Sequence, residues 1–190
     1  MPPIRPAARF AVLACLAALL GARPAGAEVR QSAADGFLVM HEVQVGAAPA
    51  ALFAALGQVG RWWSDQHAWS GSAANLRLEL AAGGCFCERW AEGSAEHARV
   101  VFVRRDRELR LRGALGPLQA MGLDGLLGFE LASTEGGTTR LHVTYRVSGD
   151  RQHELAQITP AVDAVIGEQV ARLKRFVETG TPEPPAAREQ

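Results

Sequence analysis

Three side chains in this sequence set a titratable group in strongly apolar company. His41 lies in the run from Phe37 to Val45, two residues from Val39 and Val43; Glu88 lies between Phe86 and Trp90 at the same spacing; Tyr145 alternates with Leu141, Val143 and Val147. On an extended strand, residues two apart share a face. Each of the three is therefore expected on the apolar side of a sheet, where burial would shift its pKa and suit it to act as acid or base. The same position equally suits a polar group that hydrogen-bonds a neighbour, and periodicity does not say whether the three converge.

Trp62, Trp63 and Trp69 are three of the four tryptophans and fall within eight residues, outside any regular period. Such aromatics can line the mouth of a cavity and stack on a flat ligand, or plug the core beneath a helix. Cys85 and Cys87 are a different matter. On a regular strand their Cα atoms would stand about 6.6 to 6.8 Å apart, with Cβ atoms at a similar separation, whereas a disulfide needs Cβ atoms about 3.8 Å apart. No bridge between them is expected. C-x-C without a second Cys or His pair is half a zinc site at best, and His67, His97, His142 and His153 have no second ligand at metal spacing. There is no H-E-x-x-H, G-x-S-x-G, P-loop or dinucleotide fingerprint, so neither a metal nor a cofactor is expected. With 20 Lys+Arg against 20 Asp+Glu, the basic footprint of a nucleic-acid binder is also missing.

The elements that must position these residues can be read from hydrophobic period. Gly36 to Val45 alternates as a strand; Pro49 opens a short helix ended by Gly57, and Arg61-Trp62-Trp63-Ser64-Asp65 reads as a second short helix before a loop. An antiparallel meander follows: Leu76 to Leu80, a Gly83-Gly84 turn, Cys85 to Trp90, Ala98 to Val103, Arg107 to Leu115, Leu126 to Ala132 and Thr138 to Val147. Gly113 to Gly125 is too glycine-rich for a firm strand. From Thr159 to Thr179, Val162, Ile166, Gln169 or Val170, Leu173 and Phe176 or Val177 recur at helical spacing, with Thr159 and Pro160 as start signals and Gly180 as the stop. Arg172 and Glu178 are expected on the wet side of that helix.

The ends read differently. Arg5 and Arg9, an apolar run from Phe10 to Leu20 and the small residues Ala25-Gly26-Ala27 have the order of a secretory signal peptide cut after Ala27. Eleven apolar residues are too few to cross a bilayer, which takes about 20. A secreted or periplasmic chain is expected, with 28–35 as a linker, 36–180 as one domain, and 181–190 as a disordered tail with three prolines.

One strand, two short helices, about six antiparallel strands and a long closing helix make an α+β chain in the order of the helix-grip fold. The local motifs agree: VQVGAAPAALFAAL at 43–56, Arg61-Trp62-Trp63, Trp69-Ser70-Gly71 with Asn75, Gly83-Gly84-x-Phe86, Gly113-x-Leu115-Gly116-Pro117, Gly136-Gly137-Thr138 and the helix before Gly180. Together they resemble the SRPBCC (START-like) superfamily, nearest its polyketide-cyclase/dehydrase-like and Hsp90-ATPase-activator-like members. The resemblance implies a curved sheet of about seven strands around the last helix, with a cavity between them. The strand readings line that cavity with Val39, Val43, Phe86, Leu109, Val143 and Ile166, with His41, Glu88 and Tyr145 as isolated polar points and Trp62, Trp63 and Trp69 at its mouth. Two functions fit such a lining: holding a small hydrophobic ligand (a lipid, isoprenoid or aromatic polyketide), or cofactor-free cyclisation, dehydration or isomerisation with His41, Glu88 or Tyr145 moving the proton.

Overall fold

The structure, a computed structural model, describes residues 28–185, with side chains from residue 31 onward. The expected signal peptide and the last five residues of the expected tail lie outside the described residues. Alternating apolar runs form eight strands: β1 Glu28–Ala33, β2 Gly36–Val45, β3 Leu76–Leu78, β4 Cys85–Trp90, β5 Gly93–Arg104, β6 Glu108–Arg112, β7 Asp124–Ser133 and β8 Thr139–Ser148. They make one antiparallel sheet in the order β1-β2-β8-β7-β6-β5-β4-β3. The count is eight rather than about seven; β1 comes from the stretch read as a linker and forms a hairpin with β2. Unbroken pairing of β2 with β8, from Gly36 opposite Ser148 to Val45 opposite Thr139, sets Phe37, Val39 and His41 beside Val147, Tyr145 and Val143 on the buried face.

Helix α1, Pro49–Leu56, starts on its proline as the sequence indicates. The expected second short helix is instead a chain of 3-10 turns at Val59–Arg61, Asp65–His67 and Ala73–Asn75. The long helix α2, Leu155–Thr179, packs on β1, β2 and α1 and buries Ile166, Val170, Leu173 and Phe176 against the sheet. It begins four residues before Thr159. Pro160 is tolerated inside it because both Pro160 and Ala156 are exposed, so the carbonyl that loses its N–H partner is open to water. Buried Thr159 is no cap either: its hydroxyl bonds the Leu155 carbonyl at 2.9 Å and meets the Ser32 hydroxyl at 3.1 Å.

The expected wet-side residues of α2 also take up tertiary roles. Arg172 donates to the Trp62 carbonyl at 2.9 Å, and its other nitrogen reaches toward the Trp63 carbonyl and bonds Glu183 at 2.8 Å. Glu178 accepts the Gly46 N–H at 2.7 Å. A long polar side chain on a helix flank can reach loop backbone that periodicity does not see. Among the described residues, no helix is long and apolar enough to cross a membrane.

Candidate functional site

A cavity of about 460 Å³ lies between α2 and the loops that follow α1 and β6. Helix α2 supplies its floor through Ile158, Val162, Val165 and Ile166; the turns after α1 supply Trp63, Gln66, His67 and Trp69; the glycine-rich stretch supplies Leu115, Pro117, Leu118 and Met121; the sheet supplies Tyr145. Trp69, 52% exposed, stands at the mouth. Polar groups are few, and His67 at the rim is engaged with Glu168 of α2 at 3.1 Å. A concave, mainly apolar lining with isolated polar points is what a small-molecule site requires.

Of the twelve residues singled out from sequence, Trp63, Trp69, Tyr145 and Ile166 line this cavity. Trp62 and Val143 lie deeper, on a pinhole cavity of about 10 Å³ that also touches Trp63 and Ile166. Val39, Phe86 and Leu109 are core residues and Val43 packs half-buried against them; none reaches the cavity. His41 and Glu88 do not reach it either.

His41 does face inward from β2, but it meets α2. Its Nε2 lies 2.9 Å from Asp163 Oδ1, off the direction in which the ring N–H would donate, so the two atoms face each other without a hydrogen bond. The helix comes this close because residue 167 is glycine: a Cβ there would stand 2.8 Å from the imidazole Cε1.

Glu88 is wholly buried and anchors a loop. Its carboxylate accepts the Trp69 N–H at 3.0 Å, the Ser70 N–H at 2.6 Å and a bond from His97 Nε2 at 3.1 Å. Burial by itself would raise its pKa, but the bonds from Ser70, Trp69 and His97 outweigh burial and hold the carboxyl below its ordinary range. His97, in turn, is pushed below the usual histidine value by burial, with Glu88 opposing. A register shift makes the pair possible. Phe86 pairs with Ala98 but Cys87 with Glu96, which leaves His97 as the extra residue of a β-bulge and turns both His97 and Ala98 inward.

At the same irregularity Cys85 and Cys87 form a disulfide, contrary to the regular-strand expectation. The distorted strand brings their Cα atoms to 5.4 Å, inside the range a bridge needs. Glu96 lies beside both sulfurs, and these three make the one group with metal-ligand spacing among the described residues; the bridge takes up both thiols.

Tyr145 is the third polar point. Its hydroxyl accepts the Leu115 N–H at 2.9 Å and donates to the Gly113 carbonyl at 3.2 Å, which pins the 113–118 wall of the cavity to the sheet. Gly125 admits this arrangement, since a Cβ there would stand 2.3 Å from the Gly113 oxygen and 2.8 Å from the phenol oxygen. Burial pushes the phenol pKa up to about 12. Both hydrogen-bonding directions of the hydroxyl are in use, and it stays neutral at any physiological pH.

Sequence reasoning missed the 115–121 wall, the Gln66-His67 turn and the outer stripe of α2. The last had a signal. Ile158 and Val165, on either side of the expected Val162, extend the apolar arc of the helix beyond the face that Ile166, Val170 and Leu173 bury, and the surplus apolar surface is what the cavity uses.

No family model and no curated protein matches this chain. Solved structures do. EF2215 of Enterococcus faecalis, a conserved protein of unknown function, superposes with a TM-score of 0.58 at 15% identity over 80% of this chain and 78% of its own. CalU16 of Micromonospora echinospora gives 0.50 at 17% identity over 78% of both chains. DynU16, from the dynemicin biosynthetic locus, gives 0.50 at 21% identity over 76% of this chain and 48% of its own. The arrangement of a curved antiparallel sheet around a long C-terminal helix is a helix-grip fold, and these structures share that fold with the chain.

Proposed function

We propose that this chain is an exported carrier or receptor for a small, largely apolar molecule, a lipid, isoprenoid or aromatic polyketide-like compound, held between α2 and the Trp63–Trp69 turns. One observation carries the reading: a cavity of about 460 Å³ with a mainly apolar lining that includes an exposed tryptophan. The likeness of the fold to DynU16, a protein of a biosynthetic locus, supports a small molecule as the occupant. A cofactor-free cyclase would need at least two proton-transfer groups on the reacting atoms. Of the three candidates only Tyr145 lines the cavity, and its hydroxyl is committed to backbone, so binding is the preferred reading.

The test is extraction of the purified mature chain with organic solvent, mass spectrometry of the extract, and calorimetric titration with a panel of fatty acids, isoprenoids and aromatic polyketides. Binding with a negative heat-capacity change is expected, because apolar surface leaves water. Val165→Trp, which fills the cavity from a half-buried helix position, should abolish binding while the thermal melt stays near wild type. A chain that binds no member of the panel, with Val165→Trp indistinguishable from wild type, would refute the carrier reading. Export is tested separately: N-terminal sequencing of secreted protein should begin at Glu28, and retention of Met1 would exclude it.

A further inference from the structure

Three buried side-chain polar atoms have no hydrogen-bond partner among the described residues: His41 Nε2, Asp163 Oδ1 and Gln169 Nε2. The first two face each other at 2.9 Å. That leaves the Gln169 amide nitrogen, on a side chain only 3% exposed, as a donor with nothing to receive its hydrogens. The assignment of nitrogen and oxygen is fixed by chemistry, since the other atom accepts the Ser64 N–H at 2.9 Å and must be the carbonyl oxygen. Gln169 forms part of the wall of the pinhole cavity, whose other members, among them Trp62, Leu127, Phe129 and Leu173, are apolar. The two cavities share Trp63 and Ile166 in their walls, so they adjoin at these two side chains.

We infer that Gln169 is the specificity-determining donor of the ligand site, and that the ligand carries a carbonyl or ether-type oxygen which passes between Trp63 and Ile166 to accept a hydrogen bond from Gln169 Nε2. This rests on the carrier reading and adds to it the chemistry of the ligand's buried end. The space of about 10 Å³ holds about one oxygen atom. A water there would find one polar partner where buried waters want two to four. An oxygen attached to an apolar body satisfies the same donor while the body fills the larger cavity, and a site built around a fixed donor rejects the analogue that lacks the acceptor.

The probes are fluorenone and fluorene, which share one shape and differ in a ketone oxygen. Wild-type protein and Gln169→Met are titrated with both, and the quantity read is the change in the affinity ratio between the two proteins, which cancels the different hydration of the two probes. The fluorenone-to-fluorene ratio should fall by about tenfold in Gln169→Met. A second readout needs no variant: the side-chain amide of Gln169 in ¹⁵N-labelled wild-type protein, assigned through its own β and γ carbons, should shift on adding fluorenone and not on adding fluorene. Fluorene binding with an unchanged ratio, or an amide resonance equally blind to both probes, overturns this inference and leaves the carrier reading standing. If neither probe nor any member of the ligand panel binds, both fall together.

Discussion

At the scale of single residues, the three inward-facing polar groups are tied to structure more than to chemistry, and their titration should show it. Glu88 has a lowered pKa, so the stability it contributes is present above its unfolded value of 4.5 and is lost as pH falls through the lower folded value. His97 is also lowered, so its contribution is present above 6.5 and is lost as pH falls through its own folded value. Both losses run toward acid. Urea denaturation from pH 7 down to pH 2 should therefore show stability falling in two stages, with the more acid stage absent in Glu88→Gln. That variant should also lose about 1.5 to 3 kcal/mol at pH 7, the usual worth of bonds to a buried charged acceptor. Tyr145 is the one tyrosine in the chain, so absorbance at 295 nm follows it alone. Its raised pKa means stability is present below the unfolded value of 10 and lost as pH climbs toward about 12. A native transition near 10 would mean the phenol is not buried as described. The inward direction of His41, Glu88 and Tyr145 was legible from two-residue spacing. Their partners were not, because Asp163, the Trp69-Ser70 backbone and the Leu115 N–H come from elements distant in the chain, and alternation within one strand carries no information about what crosses it.

Among the elements, the strands with strict alternation, β6 and β8, are readable to within a few residues, while the alternation shows β5 five residues short at its start and one at its end. Its first half, Gly-Ser-Ala-Glu-His, is polar, and its bulge puts two consecutive residues, His97 and Ala98, on the same buried side, which defeats a period-two reading. The 113–121 wall of the cavity has no period at all and is held by Tyr145 and Gly125, so no local pattern could reveal it. Helix α2 allows sharper tests. Gly167→Ala would ordinarily stabilise a helix interior by about 1 kcal/mol. Here the new methyl meets the His41 ring, so the variant should be destabilised in the wild-type background and stabilised in His41→Ala, a sign reversal that thermal melts of the four proteins would read. Phe176→Ala should lose about 3 to 5 kcal/mol as a buried aromatic. Arg172→Ala should lose about 1 to 3 kcal/mol, well above the effect of a solvent-facing side chain, because its bonds to the Trp62 and Trp63 carbonyls dock the aromatic turns onto the helix. Equal, negligible losses at both positions would mean that α2 is not seated as described.

For the molecule as a whole, the Cys85–Cys87 bridge closes a loop of only three residues, so it constrains the unfolded chain little. Intact mass under non-reducing conditions should be two daltons below the thiol form, and reduction should cost no more than about 1 to 2 kcal/mol. A chain that unfolds on reduction would mean the bridge holds more than its own turn. The placement of α2 has a consequence in time. The cavity takes its walls from residues 63–69, 115–121, 145 and 158–166, and its floor from a helix that follows every strand in the chain. The sheet likewise closes only when β8 returns to lie beside β2, more than 90 residues away along the chain. During synthesis the site cannot exist until α2 has emerged and docked, and the many long-range contacts make that docking slow compared with forming a hairpin. On the carrier reading, an occupant would therefore be acquired only once α2 is in place, and not by the growing chain.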